Sequence, residues 1–157
     1  MNLYFDGGSY GNPGISGSGW IILTDNDELI AGGYQYVGPH STNNVAEYSG
    51  LLAGLDYLTN NITTLKRPLM IRGDSQLVIN QVTGKWKINA PHLIPYATKA
   101  KELIKTLTQT QLKWIPRAYN SLADHLANIA IKKRTSATLP PELIGKKITT
   151  EMLTPRA

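Results

Sequence analysis

The chain has 157 residues, 41% hydrophobic and 17% charged, which suits one folded domain with a real core and excludes a disordered polymer. It contains no cysteine, so disulfide frameworks and cysteine-held zinc are excluded, and a reducing compartment such as the cytoplasm is the expected setting. A formal charge of +5 suits a nucleic-acid partner, though a basic surface kept for solubility gives the same total.

Residues Asn2 to Asp6 read as a first strand, opening with no basic segment and apolar h-region, so no signal peptide is expected; no apolar run reaches the length of a membrane span. "GSGWIILTD" and "ELIAGGYQYVG" follow as two strands joined by a polar turn at Asp25, Asn26 and Asp27. The period then changes. In "STNNVAEYSGLLAGLDYLTNN" the residues Val45, Tyr48, Leu51, Leu52, Leu55 and Leu58 recur at helical spacing, with Ser41 or Thr42 to cap the start. "RPLMIRGD" reads as a fourth strand, and "SQLVINQVTGKW" as a helix begun by Ser75. A connector leads to a helix through "YATKAKELIKTLTQ", with Pro91 and Pro95 tolerable only at or before its first turn. "QLKWIPR" is a fifth strand. "NSLADHLANIAIKKR" is the last helix, with Leu122, Leu126 and Ile129 on one face and Asn120 as its cap. From Thr135 the chain reads as a tail rich in Pro, Thr and Lys, either docked or mobile. The expected division is a catalytic domain over residues 1–134 and a tail over 135–157.

Three meandering strands followed by strand–helix alternation imply an α/β fold, a mixed sheet with helices on both faces. Sites in such sheets form beyond the carboxyl ends of the parallel strands. Of the eleven acidic residues, Asp25, Asp27, Glu28, Asp56, Glu102, Glu142 and Glu151 fall in turns, polar helix positions or the tail, where solvated charges are ordinary. The other four differ. Asp6 and Asp74 end strands one and four, the natural parallel pair, and Glu47 and Asp124 lie near helix starts beside apolar positions. Each has a plain account as a turn former, a cap neighbour or a charge favoured by a helix N-terminus. Together, four carboxylates at one edge repel one another unless a cation neutralises them or they hold protons. Ligation by oxygen alone favours a hard divalent ion, Mg²⁺ or Mn²⁺. Two such ions about 3.5–4 Å apart are the usual arrangement for in-line displacement at a phosphodiester.

"YFDGGSYGNPG", "TNNVAEYSGLLAGL", "IRGDSQLVINQV" and "RAYNSLADHLAN" together resemble, in order, the four segments of type 1 ribonuclease H, a likeness that covers Asn2 to Lys133. The resemblance implies the ribonuclease H-like fold, a five-stranded sheet of order 3-2-1-4-5. It implies Asp6, Glu47, Asp74 and Asp124 as catalytic residues and as ligands of two Mg²⁺ ions, with Mn²⁺ able to substitute and Asp6 bridging both. The implied reaction is hydrolysis of the RNA strand of an RNA–DNA hybrid, leaving 5′-phosphate and 3′-hydroxyl ends. The resemblance makes Asn12, Asn43, Asn44 and Gln76 minor-groove contacts, amides that donate and accept without adding charge. It makes Thr42 a phosphate contact, and the closely spaced Gly7 and Gly8 let backbone approach the strand. Turn and cap chemistry explains the same amides. Lys85 and Trp86 suit a grip on the DNA strand by phosphate contact and stacking, although a Trp at a helix end also packs. Trp20 and Trp114 fall in strand patterns and read as core.

Two departures matter. The connection from Trp86 to Tyr96 is too short for the basic handle of many bacterial relatives, which places the chain in the compact subgroup. The loop "IPRAYN" lacks their mobile histidine, leaving Arg117 as its candidate substitute, a phosphate contact that shuttles no proton at neutral pH. His40, His92 and His125 read as surface or structural residues. With no separate hybrid-binding module, affinity is expected from this domain or from Lys146, Lys147 and Arg156 of the tail. A monomer is expected. Three rivals stay open: a silent nucleic-acid-binding domain, a nuclease of the same fold with another substrate, and a piece of a reverse transcriptase polyprotein.

Overall fold

The computed structural model describes residues 1–62, 68–107 and 109–154. Alternation along the first two strands sets the architecture. Strand β1 (Asn2–Tyr10) pairs antiparallel with β2 (Gly14–Leu23), in the register Leu3↔Ile22 to Tyr10↔Ile15. Side chains of successive strand residues leave opposite faces. Leu3, Phe5, Trp20 and Ile22 therefore enter one core, with Tyr48, Leu51, Leu55 and Leu58 of helix α1 (Asn43–Asn61). Ile21 and Leu23 enter a second core, against Leu126 and Ile129 of a helix on the other face. Strand β3 (Leu29–Ser41) completes the meander, and Thr42 caps α1 by accepting from the Val45 N–H at 3.3 Å.

Strand β4 (Leu69–Gly73) returns parallel to β1, from Asn2↔Met70 to Phe5↔Gly73. Arg67, expected at its start, lies outside the described residues. Helix α2 (Gln76–Val82) is capped by the Ser75 hydroxyl, which accepts from the Val78 N–H at 3.1 Å. It stops short of the expected end at Trp86, because Gly84 takes a φ of +82° that a continuing helix does not allow. Helix α3 (Ile94–Thr106) carries Pro95 in its first turn, where no backbone donor is lost, and strand β5 (Thr110–Trp114) pairs parallel with β4. Helix α4 (Ser121–Lys133) covers the second core, and no handle is inserted between α2 and α3.

Among the described residues the sheet has six strands in the order β5-β4-β1-β2-β3-β6, so the expectation of five is corrected. The first five follow the expected order. The sixth, β6 (Ala137–Thr138), pairs with β3 at Gly33↔Thr138 and Tyr34↔Ala137. A two-residue strand has no hydrophobic period, and this one exists because β3 offers an open edge. The segment that reads as a tail is docked as far as Thr154. Leu139, Leu143, Ile148 and Leu153, the last in the short helix α5 (Thr150–Leu153), pack onto Ile21, Leu29 and Leu126. Backbone bonds from Leu29 N–H to Lys146 O at 2.9 Å and from Gly145 N–H to Leu29 O at 2.8 Å fasten it further. Arg156 lies outside the described residues. No helix among the described residues is long and apolar enough to cross a membrane.

Trp20 is core, but Trp114 is 40% exposed, which corrects the reading of Trp114 as core. β5 is the edge of the sheet, and its outer face meets solvent.

Candidate active site

The parallel pairing of β1 and β4 ends at Phe5↔Gly73, and the next residue on each chain is an aspartate, Asp6 and Asp74. β1 itself continues to Tyr10 on its pairing with β2, so Asp6 sits within the strand, where β4 leaves it. Two glycines then draw the helices in. A Cβ on Gly7 would stand 2.1 Å from the Ala46 carbonyl carbon and 2.3 Å from the Glu47 nitrogen, so only glycine lets β1 lie against the backbone of α1 beside Glu47. A Cβ on Gly19 would stand 2.5 Å from the Ala123 carbonyl oxygen, so β2 admits α4 equally closely, next to Asp124.

Carboxylate oxygens of Asp6, Glu47 and Asp74 lie within 4.8 Å of one another. Asp124 lines the same cleft, a space of about 530 Å³ whose wall includes Gly7, Gly8, Asn43 and Arg117. The Arg117 Nη2 stands 3.8 Å from Asp124 Oδ1, with the arginine side chain 83% exposed. Asn128, one turn on from Asp124, donates to its Oδ2 at 3.4 Å. Among the other residues singled out by the sequence, the Asn12 Oδ1 accepts from the Asn43 backbone N–H at 3.1 Å, which ties Asn12 to the start of α1. Thr42 is engaged as the α1 cap, Gln76 is exposed at the start of α2, and Asn44 follows Asn43 in α1. Lys85 and Trp86 lie in the turn after α2, with Trp86 48% exposed rather than packed. None of Asn12, Thr42, Asn44, Gln76, Lys85 or Trp86 lines the carboxylate cleft itself. Gly8 has room for a side chain, its nearest neighbour being Ile131 Cδ1 at 3.9 Å. His125 shares a 2.9 Å hydrogen bond with the Thr154 hydroxyl, on the docked segment.

Crowding governs the electrostatics. Asp6 is pushed up to about 8, first by burial and then by the charge of Asp74, against the Gly7 N–H that donates to its Oδ1 at 2.8 Å. Glu47 is raised well above the ordinary carboxylate range by burial, by the Asp6 charge and by a hydrogen bond in which it supplies the proton. Burial also raises Asp74, opposed by hydrogen bonds from Asp6 and Asn120 and by the Arg117 charge. Without a cation, Asp6 and Glu47 therefore both favour their protonated forms. Glu47 Oε2 is buried with no hydrogen-bond partner among the described residues. An orphaned carboxylate oxygen beside two others, with no His or Cys ligand among them, fits a hard divalent cation that takes the proton's place.

The sequence did not single out Ser9, Tyr10, Ala127, Asn128 or Ile131, which also line the cleft. The spacing of Asp124, Ala127, Asn128 and Ile131 is that of one helix face and carried the signal. Nor did it single out the Trp114 indole, which donates to the Asp74 carbonyl at 3.1 Å.

A family model described as reverse transcriptase-like matches residues 4–130. The crystal structure of RNase H1 from the halophilic archaeon Halobacterium salinarum is 37% identical, with a TM-score of 0.77 over 84% of this chain and 97% of that one. This chain belongs to the type 1 ribonuclease H family. LC11-RNase H1, solved in complex with an RNA/DNA hybrid, is 31% identical, with a TM-score of 0.78 over 85% of this chain and 97% of that one. The bifunctional protein Rv2228c of Mycobacterium tuberculosis is 39% identical over 147 residues, 93% of this chain. The chain spans 39% of the length of that ribonuclease H relative.

Proposed function

We propose that this chain is an endoribonuclease that hydrolyses the RNA strand of RNA–DNA hybrids, leaving 5′-phosphate and 3′-hydroxyl ends. The observation that carries the reading is the meeting of Asp6, Glu47 and Asp74 within 4.8 Å, in a chain of this family. The hybrid in the LC11-RNase H1 structure supports the substrate class.

Asp6, Glu47, Asp74 and Asp124 would hold two Mg²⁺ ions, or Mn²⁺ in their place. Lewis-acid activation of the attacking water, and relief of the charge that builds on the departing 3′-oxygen, is the chemistry such ions supply when bound. Asp6 gives up its proton on loading and offers its oxygens from the middle of the cluster. Glu47 does the same from α1, held in place by the Gly7 contact. Arg117 exchanges Asp124 for a phosphate oxygen as the strand enters. Asn12, Asn43, Asn44 and Gln76 offer amides to 2′-hydroxyls and base edges, the groups by which RNA is told from DNA. The Thr42 oxygen accepts from the Val45 N–H, which leaves its hydrogen to donate to a phosphate. Lys85 and the exposed face of Trp86 take the DNA strand, and the open space at Gly8 lets a backbone come close. The same reading has the domain act as a monomer in the cytoplasm.

The test is an end-labelled hybrid beside duplex RNA and duplex DNA, each with Mg²⁺ and with chelator, and with the Asp74→Asn variant in parallel. Cleavage of the hybrid RNA strand alone, lost in chelator and in the variant, is the expected result. Tight hybrid binding with no product in Mg²⁺ or Mn²⁺ would overturn the reading in favour of a silent binding domain. Cleavage of duplex DNA would overturn the substrate.

A further inference from the structure

Asn120 stands at the N-cap position of α4, where an Asn side chain ordinarily accepts a hydrogen bond from the first turn of the helix. It makes no such bond here. The side chain is turned inward, 1% exposed, and its Nδ2 donates to the Phe5 carbonyl oxygen at 2.9 Å. Phe5 precedes Asp6, and its partner across the parallel pair is Gly73, which precedes Asp74. The amide thus holds the sheet where the pairing of β1 and β4 ends, one residue before each aspartate. The Asn120 carbonyl oxygen accepts from the Asp124 N–H at 3.1 Å, which fixes the first turn of the helix that carries the fourth carboxylate. Among the described residues Asn120 Oδ1 is buried without a partner, a cost that an ordinary helix cap would avoid.

We infer that Asn120 is a positioning residue of the carboxylate site: its side-chain amide and backbone carbonyl set the spacing of Asp6, Asp74 and Asp124, and with it the affinity for divalent cations. Building on the divalent-ion reading given above, this adds a residue that touches neither ion nor substrate. The amide is required by its donors. A serine at this position can cap α4 but is too short to reach Phe5, and an alanine does neither.

The test titrates MgCl₂ calorimetrically into the wild type, Asn120→Ser and Asn120→Ala without nucleic acid, beside their thermal unfolding in chelator. Partners that orient metal ligands are typically worth about 10–100-fold in metal affinity. Both variants are expected to bind Mg²⁺ at least about tenfold more weakly. The KM for hybrid at saturating Mg²⁺ is expected to stay near the wild-type value. A folded Asn120→Ser protein with wild-type Mg²⁺ affinity overturns the proposal, because a helix cap alone then suffices. Failure of both variants to fold overturns it too, leaving Asn120 a structural pin. A wild type that binds Mg²⁺ but cuts no hybrid overturns the proposed function, while the titration still decides the role of Asn120.

Discussion

Replacing Asp6 by Asn removes one charge from the most crowded point of the cleft and leaves its shape unchanged. The Asn Oδ1 can still accept from the Gly7 N–H, so the local backbone bond survives. Two unit charges within 4.8 Å repel by about 3.5 kcal/mol at an effective dielectric of about 20, which is the scale set by a single neighbour. The native carboxyl escapes part of this by holding a proton. Its folded value of about 8 lies above the ordinary 3.8, so the protonated form contributes stability that is full below about 3.8 and lost as pH climbs through about 8. In chelator at pH 9 the variant should therefore be more stable than the wild type, by about 1–3 kcal/mol once the proton kept by Glu47 is allowed for. For a chain of this size that is a melting temperature higher by about 3–10 °C. At pH 5, where the wild-type carboxyl is already neutral, the gain should fall below about 1 kcal/mol. Scanning calorimetry at both pH values, in chelator and again in Mg²⁺, reads all of this. Added Mg²⁺ should stabilise the wild type and not the variant, and hybrid cleavage by the variant should fall to background. Equal stability of the two proteins at pH 9, or one unchanging gain at both pH values, would refute the reasoning, since the acids would then not be meeting as described.

Gly7→Ala should destabilise the fold by about 3 kcal/mol or more, because its Cβ meets immovable backbone of α1; urea unfolding measures this, and no gain in hybrid cleavage is expected from whatever folds. Mg²⁺ affinity should rise from pH 6 to pH 8.5, as the protons on Asp6 and Glu47 become easier to displace; calorimetry in two buffers of different ionisation enthalpy should show proton release on binding. Leu153→Ala should cost about 2–4 kcal/mol by opening a cavity in the second core, read from urea unfolding, with the KM for hybrid unchanged.

What the sequence made legible follows from how locally each feature is encoded. Five strands and the first helix could be read because alternation at Leu3, Phe5, Trp20 and Ile22, and helical spacing through Tyr48, Leu51, Leu55 and Leu58, are written within single segments. The order of the strands in the sheet came with the family resemblance. The meeting of Asp6 with Asp74 followed from the parallel pairing of their strands. The rest depended on pairings between distant segments. β6 is two residues long and exists because of β3. Trp114 looks like core in its own strand and is exposed because, among the described residues, no strand lies beyond β5. Asn120 reads as a cap in "YNSLAD", and only the fold shows Phe5 drawing its amide away. Trp86 extends the apolar pattern of α2, but Gly84 ends that helix first.

The pairing of β6 with β3 also bears on how the protein behaves at high concentration. β3 is thirteen residues long, and its outer backbone groups are the kind of template on which a second molecule can add a strand. The chain covers part of that margin with Ala137 and Thr138, and Leu139 N–H and Ser136 Oγ satisfy Gly32 O and Tyr36 N–H on either side. Cutting the chain before Ser136 would uncover sticky backbone and a greasy face together, and a shortened preparation should precipitate sooner than the 157-residue one.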